Sequence, residues 1–196
     1  MKQLAKYFSL FILLIIYSFQ VNAAPETFIL DNKHTYVLWS IEHLGFSTQY
    51  GKWYASGKLI LDQDNPSQSK VDVTINVADM VTGVPELDEH LKSKLFFDTK
   101  QFPTATFVSN KVTPTGKDTA TVDGTLTLRG VSRPVVLQVT LNKQGMNPIN
   151  NKMSAGFTAT TAIKRSDFGI NAFLPALSDT VNIKIGAEAY LDKKAG

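Results

Sequence analysis

The sequence contains no cysteine, and this absence excludes several kinds of site. Disulfide bonds, thiol catalysis and thiolate metal sites all need the missing sulfur. Histidine is also scarce, because the chain has only His34, His43 and His90, and no two of them have zinc-like spacing. We therefore predict no metal site and no resident cofactor.

Neither sign of charge dominates the sequence. The whole chain has a formal net charge of +3. Residues 1–23 contain two lysines and no acidic residue, so the remaining 18 basic and 17 acidic residues nearly balance. The basic residues are scattered, whereas nucleic-acid binders usually carry a basic stripe. We predict no nucleic-acid partner.

The motifs of common catalytic sites are missing as well. Ser56-Gly57 and Ser154-Ala155-Gly156 lack the nucleophile-elbow pattern, and no glycine-rich phosphate loop follows a strand. One acid–base hypothesis joins His43 with Glu42, although consecutive residues of a strand point to opposite faces. The sequence favours a protein that is not an enzyme.

The one long apolar run lies at the start of the sequence. Two lysines precede a nearly wholly apolar stretch over residues 7–19, and small residues follow at 21–23. This order is typical of a secretory signal peptide cleaved after Ala23, and the run is short for a membrane anchor. We predict a signal peptide at 1–23, one exported domain at 24–196, and no transmembrane segment in the mature chain.

Alternation of apolar and polar residues is abundant, as at 71–78, 122–129, 135–142 and 180–189. Period two is the pattern of β-strands with one buried and one solvated face. The buried faces need a sheet that closes on itself or packs on a second sheet. The predicted strands cover residues 34–44, 51–62, 69–80, 104–113, 118–130, 133–143, 152–165 and 179–192.

Two connections between these strands are long. In the first, Pro85 suits the first helical position, and Leu87, Leu91 and Leu95 form one stripe. This predicts a short α-helix at about 86–95 that packs its leucines against the sheet or one end of a barrel. The second, residues 166–178, is unusually apolar for a loop, so it either caps the core or borders a ligand entrance.

The predicted fold class is all-β, an eight-stranded antiparallel β-barrel with one short helix, with an open sandwich as the alternative. Short links favour an up-and-down meander. Arg165 and Asp167 share strand parity and are predicted to form an ion pair at the barrel rim. The candidate ligand-binding residues are the large inward or loop residues, each with a structural role as its alternative, together with His43 as a polar handle: Trp39, Ile41, His43, Trp53, Phe107, Leu126, Leu128, Leu137, Phe157, Phe168, Ile170, Phe173 and Leu174.

Several motifs resemble the YceI family and follow one another in its order. They are WSIEHLG at 39–45, LKSKLFFD at 91–98, FPTATFVS at 102–109, VDGTLTLRGVSRPV at 122–135 and KRSDFGI at 164–170. The resemblance covers about residues 28 to 191. Lys94 and Leu95 depart from the family pattern, in which a small residue or proline and an acid are common.

The resemblance implies a periplasmic, lipocalin-like barrel whose apolar pore holds a long isoprenoid, quinone-like or polyprenyl, or a related lipid. Such a protein would transport or store that hydrophobic ligand, and a homodimer stays open because some family members are dimers. Two rival hypotheses remain. One is an enzyme acting on a hydrophobic substrate with His43 or Glu42 near the pore, and the other is an envelope interaction protein with a filled core.

Overall fold

The computed structural model describes residues 24–192. The predicted signal peptide, residues 1–23, lies outside the described residues. Short 3₁₀ turns cover Pro66–Gln68 and Arg165–Phe168. Within the described part of the chain the regular elements are β1 (Glu26–Leu30), β2 (Tyr36–His43), β3 (Ser47–Leu61), β4 (Lys70–Asn76), α1 (Pro85–Lys92), β5 (Thr104–Pro114), β6 (Thr119–Leu128), β7 (Val131–Met146), β8 (Met153–Lys164) and β9 (Leu177–Leu191).

The strands close into an antiparallel barrel. From β2 to β9 each strand pairs with the next in sequence, and β9 pairs back with β2. This up-and-down order confirms the predicted meander and excludes the open sandwich. The wall has eight strand positions, as predicted, and its closure leaves no long unpaired edge.

The first position in the wall is shared by two short strands. β2 lies opposite residues 47–54 of β3, and β1 continues in the same direction opposite residues 58–61. Both also pair with β9. β1 was not predicted, because five residues that precede a polar turn give too short an alternating pattern to stand out.

The interruption between β1 and β2 is fixed by side-chain hydrogen bonds. The buried Thr35 hydroxyl donates to the Glu188 carbonyl at 3.1 Å and accepts from the Glu188 N–H at 3.3 Å. Asp31 accepts the Lys33 N–H at 2.9 Å, and its carboxylate lies 2.8 Å from Nδ1 of His34. These contacts hold the break against β9.

Helix α1 begins at Pro85 and ends at Lys92, three residues before the predicted end. Asp88 accepts both the N–H and the hydroxyl of Thr82, at 2.8 and 2.6 Å, which ties the helix to the preceding turn. The backbone is extended at Ser93. Leu91 is therefore buried as predicted, whereas Leu95 lies beyond the helix and is exposed.

The connections gather at two ends of the barrel, which we name for what they carry. The helix end holds the β2–β3 turn (44–46), the connection with α1 (77–103), the β6–β7 turn (129–130) and the β8–β9 loop (165–176). The far end holds the connections 62–69, 115–118 and 147–152.

The Asp31–His34 contact generates a prediction about titration. The hydrogen bond to Asp31 raises the pKa of His34, and the same bond lowers the pKa of Asp31. We expect Asp31→Asn to bring the His34 pKa down toward its ordinary value of about 6.5, as measured by NMR titration of the ring protons. The control variant Lys33→Gln retains the Asp31 carboxylate and should not lower the pKa of His34.

The sign of the stability effect follows from both shifts. A raised histidine pKa stabilises the fold at pH below about 6.5, and this contribution is lost as pH rises through the folded pKa. A lowered aspartate pKa stabilises the fold above about 3.9, and this contribution is lost as pH falls through the folded value. An unchanged His34 titration in the Asp31→Asn protein would contradict the assignment.

Candidate functional site

The barrel encloses a cavity of about 1010 Å³ that runs from the helix end to the far end. Every wall position contributes inward residues to it. This volume lies at the upper limit of ordinary ligand pockets, about 300–1,000 Å³. The interior is hollow, so the rival hypothesis of a filled core is wrong. Each strand from β2 to β9 contributes at least one lining residue, and an example from each, in strand order, is Trp39, Trp53, Ile75, Phe107, Leu126, Leu137, Ala159 and Ile183.

Two glycines explain why the large aromatic residues leave this space open. A Cβ atom at Gly51 would lie 2.0 Å from the Trp39 ring, and one at Gly124 would lie 2.2 Å from the Phe107 ring. The rings therefore occupy the volume that side chains at these glycines would take. Because the aromatic rings lie against glycine on the neighbouring strand, they line the cavity without crossing it.

Aromatic rings are concentrated toward the helix end. The Trp39 and Trp53 centroids are 5.8 Å apart, and Phe97 meets Trp53 edge-on at 5.2 Å. Both indole nitrogens are buried and have no hydrogen-bond partner among the described residues. Each tryptophan therefore combines apolar ring faces with a buried N–H donor that no described residue accepts.

The polar groups of the lining lie mainly at the two ends. His43 and Gln49 line the cavity at the helix end, and Gln63, Lys70 and Lys117 line it at the far end. Between the ends the wall is aliphatic and aromatic apart from isolated hydroxyl groups. The middle of the cavity suits a hydrocarbon chain, and the ends suit a polar terminus.

Arg165 organises the β8–β9 loop from within. Its guanidinium donates to the carbonyls of Ser178 and Leu177 at 2.8 and 3.1 Å, and to those of Ile170 and Ala172 at 3.0 and 2.8 Å. Burial lowers the pKa of Arg165, an effect that the nearby Asp179 opposes. A side chain with five donors can satisfy four carbonyls at once, which fixes the loop across the helix end.

The predicted ion pair between Arg165 and Asp167 is wrong. Residues 165–168 form a 3₁₀ turn, so the strand parity that would have put both side chains on one face does not apply. Asp167 is exposed. The carboxylate near Arg165 is Asp179, which accepts the N–H and hydroxyl of Ser166 at 2.9 and 2.7 Å. Burial raises the pKa of Asp179, but these hydrogen bonds and the Arg165 charge outweigh it and lower the pKa.

A second arginine ties the same loop to the helix connection. Arg129 donates to the carbonyls of Gly169 and Lys94, at 3.1 and 3.0 Å. It sits in the tight β6–β7 turn, where Arg129 and Gly130 have φ of 51° and 74°, as a two-residue type I′ hairpin requires. Arg129 thus links the β6–β7 turn to both the β8–β9 loop and the helix connection.

The structure places most of the predicted ligand-binding residues on the cavity wall, although their contact with a ligand stays a prediction. His43 lines the helix end, and Glu42 points outward and is exposed. The residues that line the cavity are Trp39, Ile41, His43, Trp53, Phe107, Leu126, Leu128, Leu137, Phe157, Ile170 and Phe173.

Phe168 and Leu174 do not line the cavity. Phe168 is fully buried in the apolar core beside it, because the 3₁₀ turn directs this ring away from the lumen. Leu174 is half-buried in the turn that precedes β9. The loop therefore gives the lumen two of its four predicted residues, Ile170 and Phe173.

Some lining residues were not predicted as site residues. Val181, Ile183 and Ile185 of β9 line the cavity. Their alternate positions put them on the same face of the strand, so the sequence pattern could have identified them. His90, Phe96 and Phe97 line it from the helix connection. The His90 ring meets Phe96 at 5.1 Å and Phe173 at 6.4 Å. No periodicity places these three, because they follow from how the connection folds over the barrel end.

Residues 24–192 lack the features of two other kinds of site. In this range no three His, Asp or Glu side chains are grouped as a metal ion would need. Nor does it contain a helix with the length and apolarity to cross a bilayer.

The geometry defines a class of protein, the hollow up-and-down antiparallel β-barrel with an apolar lumen and a helical connection over one end. Within that class the chain belongs to the YceI family, since the family model described as YceI-like domain matches residues 28–189. A UPF0312 protein of Pseudomonas putida (strain W619) is 37% identical over 175 residues, which cover 89% of this chain and 90% of that protein.

Solved structures share the fold. BcnA of Burkholderia cenocepacia has a TM-score of 0.73 at 26% identity, covering 81% of this chain and 98% of that one. A polyisoprenoid binding domain from Saccharophagus degradans has a TM-score of 0.67 at 14% identity, covering 86% and 99%. At 14% identity the second likeness shows the fold alone.

The contact between Gly51 and Trp39 generates a prediction about the cavity. We expect Gly51→Ala to push the indole into the lumen and to destabilise the protein by about 1–3 kcal/mol, as overpacking does. Near-UV circular dichroism and urea unfolding measure the two effects. Gly156→Ala is the matched control, since its Cβ would meet nothing closer than 4.0 Å. Equal behaviour of the two variants would contradict this role of Gly51.

The carbonyl cluster around Arg165 generates a stability prediction. Arg165→Met should lower the free energy of unfolding by about 2–4 kcal/mol, because buried carbonyls lose their donors. Arg165→Lys should lie between this variant and the wild type, because an ammonium cannot reproduce the planar fork. The exposed neighbour Lys164, changed to Met, should shift the urea midpoint little. A wild-type midpoint for Arg165→Met would show that the cluster is not stabilising.

Proposed function

We propose that this protein binds a long-chain isoprenoid, quinone-like or polyprenyl, or a related lipid in the barrel cavity. It carries or stores that lipid in the periplasm after export. The observation that carries the proposal is the apolar cavity of about 1010 Å³ with polar groups near its ends. A chain of this chemistry matches the wall along its length, and its polar terminus matches an end.

The energetics of such a ligand suit this wall. Burial of each methylene contributes about 0.8 kcal/mol, so a long chain binds tightly with almost no hydrogen bonds. The aromatic faces of Trp39, Trp53 and Phe107 offer apolar surface and no acceptors along the lumen. Selectivity would then come from the length and width of the cavity.

The family supports the same conclusion. The structure of the Saccharophagus degradans domain, named a polyisoprenoid binding domain, shares this barrel. The apolar run at residues 7–19 supports export. The rival hypothesis of an enzyme has less support, because Glu42 points away from the cavity into which His43 faces.

Intrinsic fluorescence gives a direct assay for cavity filling. Trp39 and Trp53 are the only tryptophans of the chain, and both line the cavity. We expect a benzoquinone with a long prenyl chain to quench this fluorescence saturably, because its chain draws the ring into the barrel. The same quinone without the chain should not quench it at equal concentration.

A matched pair of variants tests whether the lumen is the binding site. Ala159 lines the cavity, and Thr160 is exposed on the outer face of the same strand. Ala159→Phe should weaken prenylquinone binding about ten-fold or more, since two displaced methylenes are already worth that much. Thr160→Phe should bind as the wild type does. Val139 of β7 also lines the cavity, so Val139→Phe is a second lumen variant for the case in which Ala159→Phe does not fold.

The proposal also predicts what the native protein holds. Protein purified from its own cell envelope should release a prenyl or acyl lipid near one-to-one stoichiometry on extraction with organic solvent, as detected by mass spectrometry. No stoichiometric lipid, together with no saturable quenching by the prenylated quinone, would overturn the proposed function.

A further inference from the structure

The helix end carries a ring of exposed apolar side chains around the cavity mouth. Two lie in the β2–β3 turn, two flank α1, and one lies in the β8–β9 loop. Phe46 is the most exposed of them, at 89%. We name this set the apolar rim: Leu44, Phe46, Val84, Leu95 and Phe173.

The rim is continuous with the interior. Leu44, Val84 and Phe173 are each exposed to solvent and also line the cavity. The Phe173 ring lies 6.2 Å from Phe96, which is buried at the same mouth. An apolar molecule can therefore pass from the rim into the lumen without leaving apolar surface.

The two ends differ in this respect. At the far end the mouth is lined by polar and charged residues, among them Gln63, Lys70 and Lys117. That end also has an exposed apolar residue, Ile149 at 92%, but Ile149 does not line the cavity. Among residues 24–192, the large exposed apolar side chains that also line the cavity are Leu44, Val84 and Phe173, and all three lie at the helix end.

The area and the charge of the rim point to one kind of occupant. Even a large aromatic side chain buries at most about 150–250 Å². The five partly exposed residues of the rim therefore offer a few hundred Å² in total. A stable protein interface needs roughly 800 Å² from each partner, which is more than the rim provides. Both signs of charge lie beside the rim, because acidic Glu86 and Glu89 are followed by basic Lys92 and Lys94, and Lys92 pairs with Glu89 at 2.8 Å. No strong field of one sign therefore surrounds the rim. A bilayer needs neither shape complementarity nor a charged partner.

We propose that the apolar rim docks the helix end on the surface of a lipid bilayer, so that the cavity mouth faces the acyl chains and lipid transfers directly between bilayer and lumen. This inference rests on the proposed lipid-binding function. The exposed Tyr50, on β3 near the same end, has the amphipathic ring that is common at membrane interfaces.

Vesicle flotation tests the docking with Phe46→Ser and the matched control Ile149→Ser. With zwitterionic vesicles of phosphatidylcholine and phosphatidylethanolamine, Phe46→Ser should lower bound protein about ten-fold, since burial of a phenylalanine side chain is worth at least that factor. Ile149→Ser should float as the wild type does. High salt, which screens charge, should change flotation little.

Transfer kinetics separate this inference from the proposed function. Quenching of Trp39 and Trp53 follows uptake of the prenylated quinone, supplied either in dilute detergent or in the same vesicles. Phe46→Ser should take it up from detergent as the wild type does and from vesicles more slowly. Failure of the wild type to take it up from detergent would overturn the proposed function.

Three results would overturn the docking alone. The first is equal flotation and equal vesicle uptake for the Phe46 and Ile149 variants when detergent uptake is intact. The second is loss of wild-type flotation in high salt. The third is a dimer in sedimentation velocity that Phe46→Ser dissociates, which would assign the rim to a second copy of the chain.

Discussion

The hollow interior depends on steric contact between aromatic rings and glycines of neighbouring strands. An eight-stranded barrel is narrow enough for its own side chains to fill. Here Trp39 lies where a side chain of Gly51 would be, and Phe107 lies where one of Gly124 would be. The lumen thus has aromatic walls and an open centre, and the volume available to a ligand is set by residues that have no side chain.

The two ends of the barrel are built differently around this space. At the helix end Arg165 binds four backbone carbonyls, and Arg129 joins Gly169 to Lys94. Guanidinium groups bonded to main-chain carbonyls give a loop a defined shape, and here Arg165 is buried whereas Arg129 is partly exposed. The loop can then present Phe173 outward while Ile170 faces the lumen. The structure combines a fixed frame with an apolar opening at the same place.

The strand pattern carried most of the prediction, because period two records directly which side chains face inward. All eight predicted strands correspond to β2 to β9 with only modest changes of their ends, and the closed meander follows from short links. Parity fails where the backbone leaves the extended conformation. It misassigned the Arg165–Asp167 pair, which lies in a 3₁₀ turn. The contribution of Phe96 and Phe97 depends on how a long connection folds back, which no local pattern encodes. The glycine–aromatic contacts join different strands and become readable only once the register is known.

The seam between the first and last strands has a consequence for folding. β1 and β2 find their partners in β9 some 150 positions later in the chain, as the Thr35–Glu188 contact illustrates. Contacts of such long sequence separation form late and slow the folding of β-rich domains. Until β9 arrives, the inner surface and both unpaired edges are open to other chains, a state that favours aggregation. Newly made chains would therefore benefit from a chaperone that covers the open sheet. This protection is no longer needed once β9 has paired with β1 and β2.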